Sequence, residues 1–292
     1  GALEPDCFFL DLPSDPGELV RAAPTRGPVV IPSLPTGAEM SRLAIQNGRI
    51  RYLVYRFPRY LVRMQESFDD YMSGLSSKTR YAIRKSLRRL EAHAEGDFRM
   101  EEYRTPDEVG PFLDAAATVS GLTYQTRLLK AGLTNDAETL ARLLGRAEVG
   151  EFWSFMLFVG ETPISYMLGT TRGRIYRQDH GGYDPTYHNV DPGRALHGLA
   201  LERLHESGEV DVLDFTPGDG AHKEKLSTEA VECVDLVYFP PTPKAVFLVG
   251  THLMLQGVSR ATVRVMDALG IKTRIKQLLR RSGQGETSAV PQ

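Results

Sequence analysis

The chain has 292 residues, of which 41% are hydrophobic and 25% are charged, so it is long enough and apolar enough to bury a full core. Its net charge of -2 excludes a global attraction to nucleic acid or to an anionic membrane and leaves only local charged surfaces for such partners. Cys7 and Cys233 lie far apart, without the spacing of a zinc or redox site, and no metal is expected. No apolar stretch approaches the length needed to span a bilayer, and the N-terminus lacks the pattern of a secretory signal. Both observations favour a cytoplasmic location.

The first third of the chain predicts strands followed by a basic helix. The apolar run 29–31 predicts a strand between turns. Residues 50–64 are dense in β-branched and aromatic side chains and predict further strands, with Pro58 confined to a bend. Residues 76–92 predict a helix with a serine at 76 or 77 as its N-cap and an apolar face that includes Ile83 and Leu90.

The central region predicts two helices and then a three-stranded meander. Thr105 as N-cap predicts a helix that runs to about residue 119, and a further helix is predicted from Asp136 to Ala147. Residues 152–159, 164–171 and 174–183 then alternate apolar runs with short polar turns, which predicts consecutive antiparallel strands.

Another helix and two strands follow the meander. Asp191 as N-cap, Pro192 in the first turn and Gly208 as C-cap predict a helix over residues 191–208. Residues 210–215 and 231–239 predict strands on either side of a short polar loop.

The C-terminal segment from residue 244 predicts two helices, with breaks at Gly257 and Gly270. The second of these helices carries five cations: Lys272, Arg274, Lys276, Arg280 and Arg281. Apolar residues alternate with these charges, so the helix could contact a membrane surface peripherally, although packing against the domain is the favoured interpretation.

Short motifs between about residues 68 and 239 carry a family resemblance. They are 75–80 (LSSKTR), 123–129 (TYQTRLL), 182–185 (GYDP), Pro192-Gly193, Asp214-Phe215, Gly218-Asp219 and Lys223. In this order and spacing they resemble the CelD-type acetyltransferases of the GNAT superfamily, a group related to the FemAB peptidoglycan-bridge enzymes and associated with bacterial polysaccharide biosynthesis. The chain departs from the family pattern at Val190, which opens the phosphate loop, and at His222, where the family commonly has tyrosine.

The resemblance implies an α/β protein with the GNAT fold, in which helices flank a central, mixed and mostly antiparallel sheet. It further implies two GNAT-like halves, as in FemAB proteins: a degenerate half over residues 1–95 and the acyltransferase domain over residues 96–243, followed by C-terminal helices and a tail over residues 244–292. The implied activity is transfer of an acyl group, most simply acetyl, from acyl-CoA to an amine of an amino sugar, amino acid or related metabolite.

The start of the helix at residue 191 is the expected donor site. A helix N-terminus offers unpaired N–H groups and a partial positive charge to a pyrophosphate. Gly193 permits close approach, Arg194 adds a charge-assisted contact, and Asp191 opposes an anion. The expected donor contacts are Tyr183, Pro192, Gly193, Arg194 and Ala195.

The strand that ends at Tyr183 is expected to lie beside the thioester, with a bulge at Gly181-Gly182 that splays it from the next strand. Titratable residues near the expected site are candidates for the proton transfers. The catalytic candidates are Asp179, His180, Asp219 and His222, with His222 as the acid for the thiolate. By analogy with the family, Tyr124, Gln125 and Arg127 line the acceptor pocket, and Lys223 holds a phosphate or carboxylate.

The basic helix keeps two further functions open. Six cations lie within about four turns, without an intervening acid: Lys78, Arg80, Arg84, Lys85, Arg88 and Arg89. Such a surface can bind tRNA, a phosphorylated sugar donor or anionic lipid. The first alternative is therefore an aminoacyl-tRNA-dependent, FemAB-like transferase, and the second is a non-catalytic scaffold in polysaccharide synthesis. The acceptor and the oligomeric state stay open.

Overall fold

The computed structural model describes residues 17, 20–21, 27–37, 39–122, 132–218 and 220–268, with side chains up to residue 255. These residues form one nine-stranded sheet with helices on both faces. The predicted mixed α/β architecture is confirmed. No helix formed by the described residues combines the length and apolarity that crossing a lipid bilayer requires.

The N-terminal strands are β1 (Val29–Pro35), β2 (Leu43–Gln46) and β3 (Arg49–Arg63). Asn47 and Gly48 both have positive φ, of 51° and 70°, and join β2 to β3 in a tight hairpin.

The prediction of a bend at Pro58 was wrong, since β3 runs straight through it, opposite Glu232. The Tyr60 carbonyl accepts from Phe215 N, so by alternation the backbone of residue 58 faces the same edge of β3. Among the described residues β2 pairs only with 49–52 and β8 only with 61–63 on that edge. Proline lacks an N–H, and no strand is deprived of a hydrogen bond there.

Two helices and a strand follow: α1 (Phe68–Gly74), α2 (Ser77–Ala94) and β4 (Phe98–Tyr103). The Ser76 hydroxyl accepts from Thr79 N at 3.1 Å, which confirms the predicted N-cap of the basic helix α2.

The central region contains the two predicted helices and the predicted meander. The elements are α3 (Pro106–Leu122), α4 (Ala137–Glu148), β5 (Ser154–Val159), β6 (Thr162–Arg172) and β7 (Ile175–Tyr183). Asp136 caps α4 by accepting from Thr139 N at 2.7 Å.

The remaining elements are α5 (Pro192–Ser207), β8 (Val212–Asp214), α6 (Ala221–Leu226), β9 (Glu229–Phe239) and α7 (Pro243–Ala268). The predicted break at Gly257 was wrong, because α7 is one continuous helix there. A helical glycine costs only about 1 kcal/mol relative to alanine, which good helix formers on both sides offset. Gly270 lies outside the described residues.

The strand order is β1-β9-β3-β8-β7-β6-β5-β4, with β2 beside β3. Pairs of described strands are antiparallel except β7 with β8. One large core lies under α1, α2 and α5, and another lies under α3 and α4. The first core takes Tyr71 and Ile83 from the predicted N-terminal half and Trp153 and Leu196 from the predicted acyltransferase domain. The boundary at residue 95 therefore stays a prediction.

Candidate active site

The parallel pair of β7 and β8 opens into a V. The two strands pair only from Ile175 to Arg177 and from Val212 to Asp214. Beyond that point β7 continues to Tyr183, paired with β6 on its other edge. At the base of the V the Thr216 hydroxyl donates to the Gln178 carbonyl at 3.1 Å. The edge of β7 beyond Gln178 is thus available, among the described strands, to an extended ligand.

A β-bulge lies at Asp179, where the register passes from Gly169 opposite Gln178 to Leu168 opposite His180. The prediction of a bulge at Gly181-Gly182 was wrong, because both glycines remain in register with β6. Gly182 serves another purpose. A Cβ there would stand 2.8 Å from the Tyr166 ring, so glycine lets that ring pack against the strand.

The Asp179 carboxylate is engaged in structural contacts. One oxygen accepts from Arg177 Nε at 2.5 Å and the other from the Thr170 hydroxyl at 2.7 Å. The guanidinium is almost fully buried. A carboxylate held in this way is a poor general base, since protonation would weaken the ion pair.

His180 lies on the face of the sheet that α3 and α4 cover. Its ring stacks on Tyr166 at an interplanar angle of 4°, and its Nδ1 lies 2.7 Å from the Tyr166 hydroxyl oxygen. Burial raises the pKa of Tyr166 to about 12, so the phenol stays protonated. In the tautomer whose Nδ1–H donates to Tyr166, the Nε2 of His180 carries the lone pair that a base needs.

On the opposite face, Gln178, His197 and His222 form a polar cluster. The His197 Nε2 lies 3.1 Å from the Gln178 side-chain amide, and the two imidazole centroids are 5.5 Å apart. Sequence reasoning missed His197. The available signal was its position four residues after Gly193, which places both residues on one side of α5.

The hydrogen bonds of His197 determine its tautomer. Nδ1 lies 2.6 Å from the Gly193 carbonyl, which can only accept, so Nδ1 carries the proton. Burial, followed by the charges of His222, Arg194 and Lys223, lowers the pKa of His197 to about 4. A neutral imidazole has one N–H, so Nε2 accepts, and the Gln178 amide must present its NH2 group to it.

His222 and Lys223 lie on the short helix α6. Burial, and then the nearby charges of Lys223 and Arg194, lower the pKa of His222. His222 is therefore neutral at pH 7, which suits a proton acceptor better than the predicted acid. The Lys223 ammonium donates to the carbonyls of Thr216 and Pro217, at 3.2 and 3.3 Å, and thus holds the loop after β8.

The start of α5 differs from the predicted cap. Asp191 has a left-handed backbone, with φ of 55°, and its side chain makes no capping hydrogen bond. Its carboxylate is paired instead with Arg194. Asp191 is thus the N-cap residue, as predicted, but its side chain does not cap the helix, because the carboxylate has a charged partner in the first turn.

The other expected donor contacts divide between the core and the opening. Pro192 and Ala195 are buried beneath the helix. Gly193 and Arg194 are partly exposed, and the exposed Tyr183 ring would lie 3.4 Å from a Cβ at Gly193. Tyr183, Gly193 and Arg194 therefore border the V.

A buried ion pair supports the loop after β8. Asp214 is fully buried and accepts from Arg59 Nε at 2.9 and 3.1 Å, while its Oδ1 also accepts from Thr216 N at 2.8 Å. Arg59 belongs to β3 and was not a candidate from the sequence. Thus a residue of the N-terminal strands fixes one wall of the V.

Four of the candidate site residues lie outside the described residues: Tyr124, Gln125, Arg127 and Asp219. Their predicted roles stay predictions. Within the described part of the chain, no group of three or more His, Cys, Asp or Glu side chains is placed to hold a metal ion.

The basic helix α2 lies against α5, and its cations divide by role. Arg80 donates to the carbonyls of Ser73 and Leu75, at 2.8 and 2.5 Å, and so completes the end of α1. Arg89 donates to the Asn189 carbonyl at 3.1 Å, just before α5. The side chains of Lys78, Arg84 and Arg88 are exposed. Of the predicted stripe of Arg80, Arg84 and Arg88, Arg80 thus has a structural role at the end of α1.

A family model described as acetyltransferase (GNAT) domain matches residues 77–224. The match spans α2 to α6 and includes every described element of the V. No curated protein matches the chain.

Several solved structures are similar to this chain at low sequence identity. A conserved protein of unknown function from Bacteroides thetaiotaomicron is 16% identical, with a TM-score of 0.47 over 66% of this chain and 62% of that one. FemX is 11% identical, with a TM-score of 0.48 over 66% of this chain and 63% of that one. The C-terminal domain of a lysylphosphatidylglycerol synthetase from Agrobacterium fabrum, itself described as putative, is 12% identical, with a TM-score of 0.49 over 81% and 73%. The chain thus spans less than two thirds of the first two proteins.

Proposed function

The chain belongs to the acetyltransferase (GNAT) domain family, and we propose that it transfers an acyl group, most simply acetyl, from acyl-CoA to an amine. The acceptor class proposed is an amino sugar, an amino acid or a related metabolite, and polysaccharide synthesis is the proposed setting. The observation that supports this function best is the V between β7 and β8, which opens beside the start of α5.

The V suits a thioester donor. An extended pantetheine arm can hydrogen-bond along the edge of β7 like an added strand, and a backbone N–H of that edge can stabilise the oxyanion of the tetrahedral intermediate. The start of α5 would receive the pyrophosphate, with Gly193 allowing close approach and Arg194 adding a charge-assisted contact.

We assign the general base to His180. An attacking amine must lose a proton, and His180 is a titratable group on β7 whose ring is held by Tyr166, whereas the Asp179 carboxylate is paired with Arg177. Tyr166 orients the ring so that Nε2 can accept the proton. His197 and Gln178 act as positioning residues on the other face, and the leaving thiolate takes its proton from solvent.

The donor site is tested by the binding of acetyl-CoA, CoA and longer acyl-CoAs, measured by thermal shift and calorimetry. Ligand at about 100 times its Kd stabilises a protein by about 2.7 kcal/mol, which raises the melting temperature by several degrees. Gly193→Trp fills the space beside Tyr183 and should abolish this shift. Gly145→Trp is the matched control, because Gly145 is exposed on α4 and a Cβ at that position would meet no heavy atom within 4 Å.

The outcomes separate the hypotheses. Binding that Gly193→Trp removes and Gly145→Trp preserves supports the acyl-CoA site and justifies an acceptor screen that follows thiol release. With an acceptor found, His180→Gln should lower kcat at least about a hundredfold, as loss of a general base does. A folded native protein that binds no acyl-CoA contradicts the proposal.

An aminoacyl-tRNA donor is the second candidate. Two observations favour it: the Asp191 carboxylate stands at the start of α5, where it opposes a pyrophosphate, and α2 exposes Lys78, Arg84 and Arg88. It predicts tRNA binding that weakens steeply with salt, and a smaller salt slope in Arg84→Ala/Arg88→Ala. Arg142→Ala, an exposed change on α4, should leave the slope unchanged. If the protein binds neither acyl-CoA nor tRNA, the non-catalytic scaffold is favoured.

A further inference from the structure

The helix α7 exposes large apolar side chains on its outer face. Phe247 is 75% exposed and Met254 is 73% exposed, and their spacing of seven residues places them on the same side of the helix. Val246, Leu248 and Leu255 are also more than half exposed. Among residues 243–255 the only charged side chain is that of Lys244. A helix that is apolar on all sides requires a second apolar surface besides the one it already covers.

The sheet extends this apolar surface. Tyr52 of β3 contacts α7, with its hydroxyl 2.9 Å from His252 Nδ1. Leu43 stands directly opposite Tyr52 in the β2–β3 pair, and Ile45 lies two residues further along β2. Directly opposed residues share a face, so both side chains project on the side of the sheet where α7 packs. Leu43 is 48% exposed and Ile45 is 84% exposed.

An apolar cleft separates α7 from the sheet. It has a volume of about 360 Å³ and is lined by Val54, Val237, Phe239, Val249 and neighbouring residues. We call the exposed side chains around it the α7 surface. These are Leu43, Ile45, Val246, Phe247, Leu248, Met254 and Leu255.

The sequence from the start of α7 onward is strongly basic. Between residues 243 and 281 there are eight cations and one acid: Lys244, Arg260, Arg264, Lys272, Arg274, Lys276, Arg280 and Arg281 against Asp267. The segment therefore carries a net charge of +7, and since the whole chain carries -2, the remainder carries -9. Apolar exposure and positive charge coincide in one segment, while the rest of the chain is acidic.

We propose that the α7 surface binds the surface of an anionic lipid bilayer, with Phe247 and Met254 inserted at the boundary between headgroups and acyl chains. Apolar burial and attraction of cations to anionic headgroups together govern such binding. A second copy of the chain is a poorer occupant than an anionic surface, because each copy carries the same basic segment of net charge +7. The inference is independent of the proposed acyl transfer.

Co-sedimentation with vesicles tests the proposal on the full chain. The native protein should bind vesicles of phosphatidylcholine with phosphatidylglycerol and bind phosphatidylcholine alone much more weakly, and added salt should reduce the binding. Phe247→Glu and Met254→Glu should each weaken binding at least about tenfold, because each loses a buried apolar side chain and adds a charge near the acyl chains. Val149→Glu is the matched control, since Val149 is 69% exposed at the end of α4.

Light scattering at several protein concentrations accompanies the vesicle assay. Absence of binding to anionic vesicles, or equal binding by native protein and Phe247→Glu, overturns the proposal. A dimer that Phe247→Glu dissociates, without vesicle binding by the native protein, would assign the surface to a second copy instead. The variants should keep the native melting temperature, because both altered side chains are exposed in the folded chain.

Discussion

His197 illustrates how burial determines chemistry at a single residue. Its Nδ1–H is committed to the Gly193 carbonyl, and burial holds the pKa near 4, so the ring is neutral above about pH 5. A neutral ring that links α5 to Gln178 on β7 connects that helix to one strand of the V without adding charge. We infer that its part in acyl transfer is to position the strand edge.

The lowered pKa of His197 makes stability depend on pH. Between about pH 6.5 and pH 4 the unfolded chain binds a proton that the folded chain excludes, so the free energy of unfolding falls as the pH is lowered through that window. The loss reaches at most about 3 kcal/mol. Urea unfolding of native protein and His197→Gln, at several pH values, checks it.

The free energy of unfolding should depend on pH differently in the native protein and in His197→Gln. The native chain should lose stability from pH 6.5 downward more steeply than His197→Gln, although His222 and His205, whose pKa values are also lowered, add to the loss in both. The control is His188→Gln. Because His188 is exposed, this change should leave the pH dependence of the unfolding free energy as it is in the native protein. Identical slopes for native protein and His197→Gln would show that the ring is not buried in its neutral form.

The buried pair of Arg59 and Asp214 carries a second prediction. Asp214→Asn keeps the shape of the side chain but leaves the guanidinium buried without its counter-ion, which costs about 3–5 kcal/mol. Asp211→Asn is a matched control, because Asp211 pairs with Arg174 on the surface and such a pair contributes about 0–1 kcal/mol. Urea unfolding should show a larger loss of unfolding free energy for Asp214→Asn than for Asp211→Asn. Equal losses would contradict a buried ion pair between Arg59 and Asp214.

Sequence reasoning located residues whose neighbours along the chain signal their role. His180 and Gly193 lie in recognisable local patterns, and both border the V. Arg59 and His197 were missed because their partners are distant or lie on another element: Arg59 meets Asp214 across 155 positions, and His197 meets Gln178 across 19. Only the folded chain shows that an arginine on a strand faces a carboxylate.

At the scale of elements, the start of α5 separates the two donor hypotheses. Asp191→Asn removes the negative charge and frees Arg194 from its partner. If acyl-CoA binds there, its affinity should rise about three- to tenfold, since like charges in partly screened surroundings repel by about 1 kcal/mol. Calorimetry at low and high salt measures the change, and the gain should shrink as salt rises.

Asp107→Asn provides the comparison for this prediction. Asp107 is an exposed acid in the first turn of α3, so its loss should leave acyl-CoA affinity unchanged. Weaker binding by Asp191→Asn would mean that the carboxylate orients Arg194 for the ligand. Unchanged binding would show that the phosphate of the donor does not bind at the N-terminus of α5.

Periodicity predicted most elements, and the failures have local causes. The strands of the meander and the helices α2 and α4 follow from apolar spacing and capping serine or aspartate. Pro58 was taken for a bend and Gly257 for a break, yet each is tolerated by its surroundings. Pro58 faces an edge of β3 that no described strand occupies at that position, and Gly257 lies within a long helix. Proline and glycine make a strand or helix less stable, and tertiary context decides whether the element continues through them.

At the scale of the whole molecule, the sheet and its larger core connect the predicted halves. β3 pairs with β9 along nearly its whole length and with β8 at its end. The apolar spacing within residues 1–95 could not reveal this pairing, because the partners follow more than a hundred residues later. The N-terminal strands thus contribute one wall of the V, through Arg59, as well as part of the core.

This continuity predicts that residues 96–243 alone do not fold. The fragment would lack six buried side chains of the larger core: Val62, Tyr71, Met72, Leu75, Ile83 and Leu90. Each contributes roughly 1.5–3 kcal/mol of burial, so the loss is about 9–18 kcal/mol, which matches or exceeds the roughly 5–15 kcal/mol that keeps a typical domain folded. The fragment would also leave Asp214 buried without Arg59.

Circular dichroism and thermal melting of the fragment, beside residues 27–268, check this expectation. The longer chain should unfold in one cooperative transition, because its two predicted halves share a sheet and a core. The fragment should show no cooperative transition and no thermal shift with acetyl-CoA. A fragment that melts cooperatively would establish the boundary at residue 95 as a true domain boundary, and binding of acetyl-CoA by it would show that the V forms without β3.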